Sequence, residues 1–128
     1  MSLPGTPLLE TRGITVRFGG NTAVDNVGLA MAEGRITGLI GPNGAGKTTM
    51  FNTITGLQKP ASGQVLLDGD DITELSPAKR ARRGMARTFQ RLELFLSLSV
   101  RDNVRVAGDI LCTYRRKRFD FYRQCEQV

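Results

Sequence analysis

The residues best suited to chemistry stand in a single run, Gly41-Pro42-Asn43-Gly44-Ala45-Gly46-Lys47-Thr48-Thr49. Its pattern is G-x-x-x-x-G-K-[ST], the spacing of a loop that wraps around phosphates. Glycines let the backbone curl so that successive N–H groups point inward and form a concave anion site. A helix starting at the end of the run adds unpaired N–H donors and the positive end of its dipole. Lys47 has the reach for β- and γ-phosphates, and the Thr48 hydroxyl can complete a magnesium site. The expected chemistry is therefore binding of a nucleotide polyphosphate.

Such a loop needs a strand to deliver it and a helix to leave it. The apolar run Ile36-Thr37-Gly38-Leu39-Ile40 precedes it, and a helix-like run, Thr48–Thr55, follows. Met50, Phe51, Ile54 and Leu57 recur at helical spacing and predict one packed face. Upstream, the apolar markers Leu9, Ile14, Val16 and Phe18 predict a strand over 8–18 with an irregularity near Gly13. Val27, Leu29 and Met31 alternate at period two and predict a second strand over 23–31. Gly19-Gly20-Asn21 supplies the turn between them, so an antiparallel layer is expected ahead of a buried strand at 35–40. Downstream, Gln64–Leu67 reads as a short strand and Asp68-Gly69 as a hairpin turn. Ser76-Pro77 starts a short helix that stops at Gly84. Met85–Phe89 reads as another strand, with Gln90 at its end. Ser99 and Asp102 have capping-box spacing and predict a helix from Val100 to about Leu111.

Bulk properties narrow the function. The chain has 128 residues, enough for one domain, and its 40% hydrophobic and 23% charged content is that of a globular protein. It contains no histidine, which excludes histidine metal ligands and histidine general bases. Cys112 and Cys125 have no metal-ligand spacing and are expected as free thiols in a reducing compartment. No apolar run is long enough to cross a membrane, and Met1–Pro7 lacks the pattern of a secretory signal. The net charge of +6 suits a polyanionic ligand or partner and equally a solvated basic surface. A guanine-nucleotide switch fits poorly: Asp25-Asn26-Val27-Gly28 matches D-x-x-G but precedes the phosphate loop, and no N-K-x-D run exists.

These residues carry a resemblance. The loop Gly41–Thr49, followed by Gly56, Pro60, Gly63 and Gly69, resembles the ATP-binding subunit of ABC transporters. Arg87-Thr88-Phe89-Gln90, then Leu94-Phe95 and Val100-Arg101-Asp102-Asn103-Val104, resembles the branched-chain amino-acid importer subfamily within it. The resemblance covers the chain from Leu8 to about Ala107. It implies an α/β fold: a partial P-loop NTPase core with an N-terminal antiparallel β layer and the start of a helical subdomain. It implies ATP and Mg2+ as cofactors. Phe18 matches the aromatic that stacks on adenine, a contact typically worth ~1 kcal/mol. Asn43, Gly44, Ala45, Gly46, Lys47, Thr48 and Thr49 match the nucleotide cradle. Gln90 matches the glutamine that touches magnesium and the attacking water, so Thr48 and Gln90 form the implied metal set.

The departures from the family pattern are as informative. The LSGGQ signature is absent. None of Glu93, Asp102, Asp109, Asp120 and Glu126 follows a run of four apolar residues, as the metal-binding aspartate and catalytic glutamate would. The switch histidine is absent too. The expectation is a single, C-terminally truncated nucleotide-binding domain: 1–7 a loose lead-in, 8–90 the β layer and phosphate-loop core, and 91–128 the start of the helical subdomain. The implied partners are a second nucleotide-binding domain, head to tail, and transmembrane permease subunits at the cytoplasmic face of the cell membrane. The implied work is energising an importer, with hydrolysis belonging to the complete protein. The alternative is a soluble ABC-type ATPase acting on nucleic acid or ribosomes, for which Arg115-Arg116-Lys117-Arg118 and the nearby aromatics are the best sequence signal. A solvated helix face accounts for the same cluster, and nucleic acid is not the expected partner.

Overall fold

The structure is a computed structural model and describes residues 7–89 and 94–115. It falls into two compact units, Met1–Ala86 and Arg87–Val128.

The first unit is built on four antiparallel strands in the order β2-β1-β3-β4. These are β1 (Leu9–Phe18), β2 (Asn21–Met31), β3 (Ser62–Leu67) and β4 (Asp70–Asp71). β1 lies in the middle, with Leu9 opposite Met31 on one side and Leu67 on the other. The expected irregularity is present: the β1–β2 register shifts between Thr11 and Ile14, where Gly13 has φ +58°. Two threonines repair the ladder there. Thr11 Oγ1 accepts the Leu29 N–H and Thr15 Oγ1 accepts the Asn26 N–H, each at 3.0 Å. Both β2 donors are thereby satisfied beside a bulge that would leave them unpaired. The β3–β4 hairpin turns at Asp68 and Gly69, with φ +53° and +83°. That is the pair of positive values a type I′ turn demands.

One face of this sheet gathers the core: Ile14, Val16, Val24 and Val65, closed by Met50 and Ile54 of α1 (Lys47–Thr55) and by Ile72. Met50 and Ile54 are four residues apart, so they share the inward face of the helix. Phe51 and Leu57, expected on the same stripe, are half-exposed. Phe51 is one residue on from Met50, about 100° around the helix, and its ring points away from the sheet. Gly56 ends α1 in the left-handed conformation, its N–H bonded to Thr53 O at 3.2 Å. α2 (Pro77–Arg82) follows Ser76 and ends before Gly84, as the proline and glycine dictate.

Two strand expectations are corrected. Residues 35–40 form no strand, and Ile36 and Ile40 are 104% and 94% exposed. Residues 85–89 likewise form none. A buried parallel strand exists only through its neighbours, and all four strands among the described residues pair antiparallel in the one sheet. The apolar pattern at 35–40 therefore has no ladder to join.

In the second unit, α3 (Val100–Arg115) extends beyond the expected end at Leu111. Its start is capped as the spacing predicts: Ser99 Oγ accepts the Asp102 N–H at 3.2 Å and donates to Asp102 Oδ2 at 2.6 Å. Asn103 reinforces the cap by accepting the Phe95 N–H and donating to Phe95 O.

Candidate nucleotide-binding site

The loop begins as a turn, with the Ala45 N–H bonded to Pro42 O at 3.2 Å. Gly44 and Gly46 both adopt left-handed backbone, φ +84° and +80°. Gly46 is also the N-cap of α1: its carbonyl accepts the Met50 N–H at 2.8 Å, and no side chain caps the helix. Glycine is required here for a second reason. A Cβ at Gly46 would collide with the carbonyl oxygen of Ala23 and come within 3.0 Å of Val24 Cγ2. The loop thus rests on β2 backbone to backbone.

This geometry leaves donors without acceptors. Among the described residues, the N–H groups of Gly44, Gly46, Lys47 and Thr48 make no hydrogen bond. They lie at the positive end of α1, with Gly44 and Thr48 exposed and Gly46 and Lys47 half-buried, an arrangement suited to anions. Lys47 lies across the mouth of the loop, its Nζ donating to Gly41 O at 2.5 Å and Pro42 O at 2.6 Å. Thr48 is exposed; Thr49 is half-buried, and its carbonyl accepts the Thr53 hydroxyl at 2.9 Å. Asn43 and Ala45 are exposed on the rim. A polyphosphate fits this donor set in charge and shape.

Phe18 ends β1, paired with Asn21 across the Gly19-Gly20 turn, and is 52% exposed. Its ring has a free face. Gln90 lies outside the described residues, as do the lead-in up to Thr6 and the basic cluster from Arg116 onward. No group of three or more acidic or thiol residues able to hold a metal occurs among the described residues. A magnesium ion held here would take Thr48 and phosphate oxygens as ligands, with water completing the shell.

One residue of consequence is invisible to sequence reasoning. Arg80 is 2% exposed and donates to four main-chain carbonyls: Thr53 O, Ile54 O, Thr73 O and Leu75 O, at 2.6–3.0 Å. In sequence it belongs to the basic run Lys79-Arg80-Ala81-Arg82-Arg83, which reads as a solvated face. The nearest hint is Gly56, where a Cβ would stand 2.9 Å from Arg80 Nε.

Comparison with known proteins fits this geometry. The ABC transporter family model matches residues 24–128. The chain belongs to the ABC transporter family. It is 48% identical over 101 residues to the high-affinity branched-chain amino acid transport ATP-binding protein BraF of Pseudomonas aeruginosa, covering 79% of this chain and 40% of that protein. LivG of Escherichia coli, with the same description, matches with the same identity and coverage. The Fe(3+) ions import ATP-binding protein FbpC of Escherichia coli is 41% identical over 96 residues, 75% of this chain and 27% of that protein. Among solved structures, the ADP conformation of MJ1267, an ATP-binding cassette of an ABC transporter, superposes with TM-score 0.73 at 33% identity, over 88% of this chain and 46% of that one. The dimeric post-hydrolysis state of the cassette MJ0796, bound to ADP and Pi, gives 0.69 at 27%, over 90% and 52%. The fold is thus a partial P-loop NTPase core of the ABC type. The chain spans 40% of the length of BraF and LivG.

Proposed function

We propose that Gly41–Thr49 binds ATP with Mg2+, and that the protein of which these residues are the ATP-binding part energises uptake of branched-chain amino acids. The observation that carries this is the set of unbonded N–H groups at Gly44, Gly46, Lys47 and Thr48, with the Lys47 ammonium beside them. Four donors and a cation converging at a helix start are matched by a polyphosphate and by little else. The amino-acid assignment rests on the likeness to BraF and LivG.

In this reading the Gly44–Thr48 N–H groups hold phosphate oxygens, and Lys47 turns from the loop carbonyls toward the terminal phosphates. Asn43, Ala45 and Thr49 line the cradle. Thr48 Oγ1 is the protein's own ligand to magnesium, joined by Gln90, which also orients the attacking water. The ion supplies charge neutralisation at the β- and γ-phosphates. Phe18 stacks on adenine through its exposed face. The partners are a second nucleotide-binding domain, head to tail, and permease subunits at the cytoplasmic face of the membrane.

Binding and turnover separate in this chain. It holds the cradle but no histidine, no acid after Gln90 that follows a run of four apolar residues, and no LSGGQ segment. A missing general base alone typically costs ~100- to 10,000-fold in rate. The test is calorimetric titration with ATP, with and without magnesium, alongside phosphate release. ATP should bind, GTP should bind within about tenfold of it because stacking accepts any purine, and phosphate release should stay at background. Thr48→Ala should weaken binding only when magnesium is present. Failure to bind ATP, or a Thr48→Ala loss independent of magnesium, would refute the assignment.

A further inference from the structure

Arg80 joins two elements that no strand connects. Its Nη1 donates to Thr53 O at 2.7 Å and to Ile54 O at 2.6 Å, both in the last turn of α1. Its Nε and Nη2 donate to Leu75 O at 3.0 Å and Thr73 O at 2.7 Å, in the segment leading into α2. Among the described residues no carboxylate is ion-paired with it. Burial pushes its pKa down, while the charges of Asp71 and Glu74 act in the opposite direction; an arginine remains protonated regardless. Burying a charge on carbonyl dipoles alone is costly. A planar guanidinium is the side chain that can span four carbonyls of two segments at once.

The position of this clamp gives it a reach beyond stability. α1 has nine residues, a length of about 13.5 Å. One end carries the clamp and the other carries the unbonded donors of the phosphate loop. That loop end has no capping side chain; it rests on β2 at Gly46, while Met50 and Ile54 hold the middle of the helix and Arg80 holds its last turn. A cation at the last turn also reinforces the dipole whose positive end faces the anion. We infer that Arg80 is a positioning residue for nucleotide binding: it fixes α1 from behind, so that the N–H groups of Gly44, Gly46, Lys47 and Thr48 converge on one point. This rests on the reading of that loop as an ATP site.

The test compares the 128-residue chain with Arg80→Met, which keeps length and loses every hydrogen bond, and Arg80→Lys, which keeps the charge and loses the fork. ATP titration and residue-resolved amide exchange are read together. The expected result is unchanged protection of β1 and β3 amides, faster exchange of the Met50 amide, which bonds Gly46 O at the loop end of α1, and a Kd for ATP raised about tenfold in Arg80→Met and less in Arg80→Lys, tenfold being ~1.4 kcal/mol. Unchanged Kd, with or without faster exchange in the last turn of α1, overturns the inference and reduces Arg80 to a fold-stabilising contact. If Arg80→Met loses its sheet protection, the Arg80→Lys chain decides by the same two readouts. If the wild-type chain does not bind ATP, the nucleotide reading fails by itself. Exchange of the Met50 amide, bonded to Gly46 O, then decides the clamp: unchanged in the variants, it overturns the positioning role.

Discussion

The Lys47 ammonium donates to the Gly41 carbonyl at 2.5 Å, closing the phosphate loop on itself. With the bond to Pro42 O, it ties the start of the loop to the first turn of α1. The loop is thereby held curled. Lys47→Ala should act twice. It removes a charge-assisted contact to phosphate, typically worth ~1.5–3 kcal/mol, and it frees Gly41 and Pro42. Calorimetry should show the affinity loss, and amide exchange should show faster opening at Ala45, whose N–H bonds Pro42 O. Wild-type affinity in that variant would remove Lys47 from the site.

Gly44 and Gly46 share a backbone conformation but not an environment. Left-handed backbone costs a non-glycine residue ~1–2 kcal/mol at either position. At Gly44 nothing lies within 4 Å of an added Cβ, whereas at Gly46 it meets Ala23 O and Val24 Cγ2. Gly44→Ala should therefore cost only the conformational term in urea unfolding. Gly46→Ala should cost clearly more, because the loop has to lift off β2 to make room. Equal costs would mean that the loop does not rest on β2.

What was legible in the sequence follows from how local each signal is. The phosphate loop, the Gly13 irregularity and the Asp68-Gly69 turn are set by the conformational freedom of a few neighbouring residues, and each stands where the residue types put it. The apolar run at 35–40 is just as clear in the sequence, yet a strand is a property of two chains side by side, and this one has no neighbour among the described residues. Phe51 shows the same limit on a helix: spacing says which residues share a face, and only the sheet decides which face is inward. Arg80 is the extreme case. Its burial follows from four carbonyls that converge only after α1 and the turn before α2 have formed.

Asp71 organises the far edge of the sheet. Its Oδ1 accepts the Thr73 N–H at 2.8 Å and hydroxyl at 2.6 Å, and its Oδ2 accepts Gln64 Nε2 at 2.8 Å. The oriented Thr73 hydroxyl in turn accepts the N–H of buried Val65 at 2.9 Å. The Thr73 hydroxyl, then its N–H, hold the Asp71 carboxyl below its ordinary value of 3.8, with Gln64 and the charge of Arg80 acting in the same direction. A depressed folded pKa stabilises fully above the unfolded value and is lost as pH falls through the folded one. Asp71→Asn should thus be less stable than wild type at neutral pH, and the gap should close as pH falls below 3.8 and through the depressed folded value. Some acid sensitivity should persist in the variant, because Arg12 also holds Glu10 below its usual range. Thr73→Val should cost ~1–3 kcal/mol, the penalty for stranding a buried donor. Urea unfolding across pH measures all three, and a pH-independent gap for Asp71→Asn would contradict the network.

Residues 35–40 carry the last expectation. Among the described residues their backbone makes no hydrogen bond, and Ile36 and Ile40 project into solvent. An unpaired apolar segment is a template for pairing with another chain. The chain should self-associate with rising concentration, and this segment should be the contact. Ile36→Lys with Ile40→Lys should shift light scattering toward monomer, because charge on an edge opposes pairing. The same pair should move the urea midpoint by no more than ~0.5 kcal/mol equivalent, since side chains already in water lose no burial. Thr37→Pro offers an independent check, removing a backbone donor without touching either isoleucine. If both variants associate as the wild type does, the contact lies elsewhere. If the lysine pair unfolds the sheet, then Ile36 and Ile40 are buried in solution, and 35–40 is a paired strand there after all.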